Sequence, residues 1–280
     1  MVSEPVPIKL PNSESRLFES SIVGDTFKIN ICLPEGYDGS NTTYPVVYAT
    51  DAGGGIFTLW NLVTNLSLLS GELPQLILVG IDYAVDTVED FWRCRQRDLD
   101  PIADHLEDYA KLLEFLQMET ISPGGAEAFL RFIREELKPF INDTYRANAL
   151  DSTYIGISSG GLFGLYVFFH YPDTFNRYVI GSPDINRGNK AVFAYERNYA
   201  VNHDDLVAKV FLSIGSLEEN DPFEVIQPSD QYISNLKTLA ATLRERNYPS
   251  LELTSHIFEG ETHLSVIPAV YSRGLRAVFN

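Results

Sequence analysis

The apolar run Ser152 to Ile157 (STYIGI) enters Gly156-Ile157-Ser158-Ser159-Gly160 and leaves it as the apolar, helix-like stretch GGLFGLYVFFHY. A strand that becomes a helix within so few residues makes a sharp, strained turn, and G-x-S-x-G is a pattern that permits it. Side chains flanking the turn would collide with the neighbouring strand and helix, and Gly156, Gly160 and Gly161 remove those collisions. The turn presents Ser158 as a candidate nucleophile. The Ser159 amide, at a helix N-terminus whose dipole favours negative charge, is a candidate donor to an oxyanion. The alternative is a glycine-rich junction whose serine is inert.

The rest of the chain keeps the same rhythm. Tyr44 to Ala49 (YPVVYA) and Leu76 to Ile81 (LILVGI) are continuous apolar runs bounded by turn formers, as suits parallel strands covered on both faces. Lys209 to Ile214 (KVFLSI) and Leu251 to Phe258 (LELTSHIF) read as two later strands, with a helix over Ser229 to Arg246 between them. Thr26 to Leu33 alternates like a strand until Pro34-Glu35-Gly36-Tyr37 stops it, which predicts an early antiparallel strand. From Gly125 to Tyr145, Ala128, Phe129, Phe132, Ile133, Leu137 and Phe140 recur at helical spacing, and Pro139 is expected to kink or end that helix. Alternating strands and helices imply an α/β fold: a mostly parallel central sheet with helices on both faces. Nothing in the composition marks a second domain. Residues 1–280 are therefore read as one domain, with 1–23 an N-terminal extension and Ser182 to Asp205, polar and weakly periodic, a cap or a lining of the site.

Charge excludes one class of partner. With 38 acidic and 21 basic side chains, a net −17, the chain lacks the means to build an extended phosphate-neutralising surface, so nucleic acid is not expected. A solvated acidic surface explains this charge without reference to substrate. Cys32 and Cys94 form neither a disulfide framework nor a metal-ligand spacing, and are read as free thiols of a reducing compartment. The start, MVSEPVPIKLPNSES, has no basic leader followed by an apolar run, and nowhere do about 18 apolar residues follow one another. The expectation is a cytoplasmic protein with no membrane partner. No His, Cys or Asp spacing matches a metal-ligand pattern.

A serine hydroxyl needs a base within reach, most often histidine. His105 lies near the start of a helical stretch, His170 ends the helix after the turn, His203 sits in the polar excursion and His256 falls inside the last strand. His263, in GETHLSV, follows that strand in a loop, the position an α/β-hydrolase gives its base. The residue that fixes the imidazole should be a carboxylate in a loop between serine and histidine, and KVFLSIGSLEEND offers Glu218, Glu219 and Asp221. Glu218 is preferred, because Gly215 ends the strand and three further residues bring a long side chain back toward the sheet edge. Serine, acid, histidine is then the α/β-hydrolase order. A second oxyanion donor is expected after YPVVYA, in Thr50-Asp51-Ala52-Gly53-Gly54-Gly55, with the Gly53 amide as candidate; no Gly-Lys-Ser/Thr follows, so this is not a P-loop. In Phe91-Trp92-Arg93-Cys94-Arg95-Gln96-Arg97-Asp98 three arginines stand at alternate positions. In an extended segment they would share one side, where Trp92, Arg93 and Arg95 could hold an anionic substrate group. Ion pairing with Asp82, Asp86, Asp98 or Asp100 is the plainer reading.

On these segments the chain resembles the putative esterase (esterase D-like) family of α/β-hydrolases, a group that includes S-formylglutathione hydrolases, feruloyl esterases, siderophore esterases and mycolyltransferases. The similarity runs from about Gly24 to Phe279, through YPVVYATDAGG, RQRDLDP, GGAEAFLRFIREELKPFI, YIGISSGGLFGLYVFFHYPDTFNRYVIGSP, VFLSIGSLEE and GETHLSVIPAVYSRGL. The resemblance implies that the family's nucleophile falls on Ser158, its acid on Glu218, its base on His263 and its oxyanion amides on Gly53 and Ser159. Ala52 departs from the pattern, since relatives commonly have glycine after the aspartate. The expected activity is cofactor-free hydrolysis of a small-molecule carboxylic ester through an acyl-enzyme. An acyltransferase using the same residues and a non-catalytic binding module are the alternatives, and a homo-oligomer is left open.

Overall fold

The structure, a computed structural model, describes residues 9–219 and 231–280. Its strands are β1 (Ser13–Ser20), β2 (Asp25–Cys32), β3 (Tyr44–Ala49), β4 (Ile77–Tyr83), β5 (Ala147–Ile157), β6 (Arg177–Gly181), β7 (Ala208–Gly215) and β8 (Leu251–Phe258). They form one eight-stranded sheet in the order β1-β2-β4-β3-β5-β6-β7-β8. β2 runs antiparallel to both β1 and β4, and every pairing from β4 across to β8 is parallel. The helices are α1 (Ala52–Leu68), α2 (Val88–Leu99), α3 (Ala110–Leu116), α4 (Ala126–Arg131), α5 (Lys138–Thr144), α6 (Ser159–His170), α7 (Arg187–Asn202), α8 (Tyr232–Arg246) and α9 (Ile267–Phe279).

The central strands read as unbroken apolar runs because both of their faces are buried. Along β3, Val46 and Tyr48 face a large core shared with α4, α6, α7 and α8, whereas Val47 and Ala49 face a second core built on α1 and α9. β6 and β7 divide in the same way, with Tyr178, Ile180, Val210 and Leu212 on one side and Val179 and Phe211 on the other. α6, apolar all round, is sunk in the larger core, with all but Tyr166 and His170 of its residues buried. The segment 182–205 carries α7, whose Val192 and Tyr199 join that core after three left-handed residues, Gly188, Asn189 and Lys190.

Three features go beyond the sequence reading. β1 lies within the segment read as an extension, and β6 adds a strand between β5 and β7. The long helix over 125–145 does not simply kink at Pro139: α4 widens into a π-helix over Phe132–Leu137, and Pro139 falls in the first turn of α5. Proline lacks an N–H and its ring crowds the carbonyl four residues back, and the wider turn accommodates both.

Next to that proline, the partly buried Lys138 has a consequence for stability. Its Nζ donates to Ser152 Oγ at 3.2 Å and to Thr174 O, and lies 4.9 Å from the Phe175 ring centroid. Burial pushes its pKa down to about 8. Between that value and the unfolded-chain value of about 10.4 the unfolded state holds the extra proton, so stability rises with pH across this window. Urea unfolding at about pH 7.5 and about pH 10 should show a rise attributable to Lys138 on the order of 2 kcal/mol, lost in Lys138→Met. Equal pH dependence in the two proteins would contradict it.

Candidate active site

β5 ends at Ile157 and α6 begins at Ser159, leaving Ser158 alone in the turn at φ 60°, ψ −124°. A positive φ at a serine is strained, and the surroundings hold it there. Its N–H donates to Gly181 O at 3.0 Å, and its carbonyl accepts from Leu162 N at 2.9 Å and Asp184 N at 3.3 Å. A Cβ on Gly156 would strike the Gly160 carbonyl and stand 2.5 Å from Tyr154 Oη, and one on Gly161 would stand 2.8 Å from Pro183 Cα. Backbone atoms leave no room to move, so the turn exists only with glycine at those positions.

Glu218 and His263 meet at the same edge of the sheet. β5, β7 and β8 are parallel, so Ser158, Glu218 and His263 all lie beyond C-terminal strand ends. Glu218 is 2% exposed. Its Oε1 accepts from Gly215 N and from Ser182 Oγ, each at 2.6 Å, and its Oε2 lies 2.7 Å from His263 Nδ1. An ionised carboxylate only accepts, so the Nδ1 must carry a proton and, in the neutral ring, Nε2 keeps a lone pair. The two loops are laced by Leu217 N to Glu261 O at 3.0 Å and Gly260 N to Ser216 Oγ at 2.8 Å. Of the other acids considered, Glu219 accepts from Ser234 Oγ at the surface, and Asp221 lies outside the described residues. The remaining histidines are engaged elsewhere: His105 with Glu107, His170 with the Tyr166 carbonyl, His203 with the Tyr199 carbonyl, while His256 packs edge-on against Phe258.

Gly53 sits in the first turn of α1 and Ser159 opens α6, so both amides belong to helix N-termini that lack a side-chain cap. First-turn N–H groups have no intrahelical acceptor and carry the positive end of the dipole. A Cβ on Gly53 would be 2.6 Å from Asp82 Oδ2, so a larger residue there would have to displace the Asp82 carboxylate. Ala52, the departure from the family pattern, is buried with its methyl turned onto Gly80 of β4.

The arginine segment is helical, not extended. Thr87 caps α2 by accepting from Asp90 N at 3.0 Å, and residues two apart on a helix point about 200° apart, so the three arginines do not share a side. Arg93 is exposed and paired with Glu89 and Asp90. Arg97 takes Asp98, one of the partners expected for it, and Asp25. Arg95 is buried against Asp51, which the sequence did not single out: Nε to Oδ1 and Nη2 to Oδ2 are both 2.8 Å. Its Nη1 donates to Ser159 Oγ at 3.0 Å, and the guanidinium lies 5.1 Å from the Trp92 ring centroid. Burial works against the Arg95 charge, but Asp51 outweighs it and raises the pKa. Gln96 and Tyr109 extend the network, Ser159 Oγ donating to Gln96 Oε1 at 3.1 Å.

A serine on a strained turn, a carboxylate-bound imidazole and two helix-terminal amides at one sheet edge are groups of the kinds that nucleophilic ester cleavage uses. Among the described residues, no three His, Cys, Asp or Glu side chains gather to hold a metal, and no helix is long and apolar enough to cross a membrane.

The profile of the family described as "Putative esterase" matches residues 20–248. The chain is 31% identical to the ferri-bacillibactin esterase BesA of Bacillus subtilis, across 95% of this chain and 89% of that protein. It is 26% identical to the siderophore triacetylfusarinine C esterase of Aspergillus fumigatus, across 100% of this chain and 97% of that protein. Among solved structures, the BES protein from Bacillus cereus superposes with a TM-score of 0.82 at 27% identity, covering 100% of this chain and 99% of that one. The chain therefore belongs to this esterase family, and is a hydrolase of α/β-hydrolase-like fold acting on ester bonds.

Proposed function

We propose that the protein is a serine esterase that opens the ester bonds of a siderophore through an acyl-enzyme. The observation that carries the mechanism is the 2.7 Å bond between Glu218 and His263 Nδ1, on the sheet edge where Ser158 stands in its strained turn. His263 Nε2 takes the Ser158 proton as Oγ attacks the ester carbonyl, and Glu218 holds the imidazolium that forms. The Gly53 and Ser159 amides receive the oxyanion. The tetrahedral intermediate collapses, the alcohol leaves with the proton from His263, and water, deprotonated by the same imidazole, releases the acid and restores Ser158. The substrate class rests on the relatives, which are siderophore esterases across nearly the whole chain.

Incubation with ferri-bacillibactin, triacetylfusarinine C and enterobactin, each with and without iron, tests the reading by mass spectrometry. At least one should yield products that gain one water per bond broken. Persistence of all three beside ready cleavage of a nitrophenyl ester would leave an esterase of another substrate class. No turnover of any ester and no labelling by a fluorophosphonate would remove the esterase reading itself.

A further inference from the structure

We propose that Arg95 is a positioning residue that holds the two halves of the oxyanion hole in register, by clamping Asp51 at the head of α1 to Ser159 at the head of α6. The inference rests on the serine-esterase reading above. The two donor amides lie on segments far apart in sequence, joined to different strands, and an oxyanion hole works only when both point at one oxygen with little tolerance. Beyond the strand pairing and the Thr50 N–H to Ile155 O bond at 3.2 Å, two side-chain links bridge the segments. In one, Thr50 Oγ1 and Tyr154 Oη are 3.1 Å apart and the tyrosine donates to Gly160 O at 2.7 Å. The other is Arg95, with two bonds to the Asp51 carboxylate and a third to Ser159 Oγ.

Arg95 suits this task and a substrate-binding role poorly. It is 6% exposed, and its Nε, Nη1 and Nη2 each already serve an acceptor within the protein. A planar fork reaches three acceptors in fixed directions, which a lysine ammonium on a flexible stem does not. Asp51 is the residue from which α1 starts, at φ 56°, so gripping its carboxylate sets the direction of the first-turn amides, Gly53 included. The clamp has an electrostatic consequence too. Asp51 stands two residues from the Gly53 amide, where an unpaired carboxylate would repel an oxyanion, and the buried guanidinium neutralises this partly exposed carboxylate.

The two effects separate in a mutant cycle on a nitrophenyl ester, with Ser158→Ala as reference. Arg95→Met should lower kcat by about 10²-fold, as loss of one oxyanion donor does, with KM changed by less than about threefold. Labelling by a fluorophosphonate, whose phosphoryl oxygen enters the same hole, should slow in parallel. Adding Asp51→Asn to Arg95→Met removes the stranded charge and should recover about tenfold of the lost kcat, a gain that a general loosening of the site would not give. Asp51→Asn alone keeps the side-chain volume and covers the case in which Arg95→Met fails to fold; it should lower kcat by about tenfold at unchanged KM. Wild-type kcat in either folded single variant would overturn the clamp, and so would a raised KM at unchanged kcat, which would make Arg95 a substrate-binding group. Those results with an inactive Ser158→Ala would sink the Arg95 role alone, whereas an active Ser158→Ala would sink the esterase reading beneath it.

Discussion

Replacing Ser158 with alanine should lower kcat for ester hydrolysis by about 10⁴-fold or more without unfolding the protein. The turn is held by backbone bonds, Ser158 N–H to Gly181 O and Leu162 N–H to Ser158 O, which alanine makes equally well. Alanine meets the same strain at φ 60° as serine, so the substitution adds little to it. The change removes the attacking atom and leaves the amides of Gly53 and Ser159 in place, so a residue of catalysis over water, on the order of 10³-fold, is expected to persist. Stopped assays with short- and medium-chain nitrophenyl esters measure the loss, thermal denaturation checks the fold, and a fluorophosphonate should add its mass to wild type only. A folded variant that keeps more than about a tenth of the wild-type kcat would mean that Ser158 is not the nucleophile.

How much of this was legible in the chain depended on how local each feature is. The elbow was, because strand, glycines and helix follow one another within twenty residues or so. The central strands were, because burial on both faces writes continuous apolar runs into Tyr44 to Ala49 and Leu76 to Ile81. β1 was not. It is an edge strand exposed along most of its length, so SESRLFES carries no apolar alternation, and its place shows only in its register against β2. α2 misleads for the opposite reason: it buries Arg95, Gln96 and Asp98, so its inward face is written in polar residues and hydrophobic periodicity looks past it. One local signal pointed the right way, the Thr87-x-x-Asp90 cap at its start. The Arg95–Asp51 pair had no such signal, since it joins residues 44 apart that only the folded sheet brings together.

Glu218→Gln, which keeps shape and removes one charge, should lower kcat on the order of 10⁴-fold by fixing the wrong tautomer of His263. Glu218 Oε1 already accepts from Gly215 N–H and Ser182 Oγ–H, both buried donors that need an oxygen. In the glutamine the oxygen must stay on that side, so its NH2 turns toward His263. Facing a donor, Nδ1 must give up its proton and accept instead. The neutral ring then carries its hydrogen on Nε2, where a base needs a lone pair, and Ser158 has nowhere to send its proton. Both donors keep their acceptor, so the turn that follows β7 at Gly215 should hold and the melting temperature should fall far less than the rate. Imidazole nitrogen resonances read the tautomer directly: Nδ1 protonated in the wild type at neutral ring charge, Nε2 protonated in the variant. A loss of kcat under about tenfold, or a variant ring still protonated at Nδ1, would show that Glu218 does not orient the base.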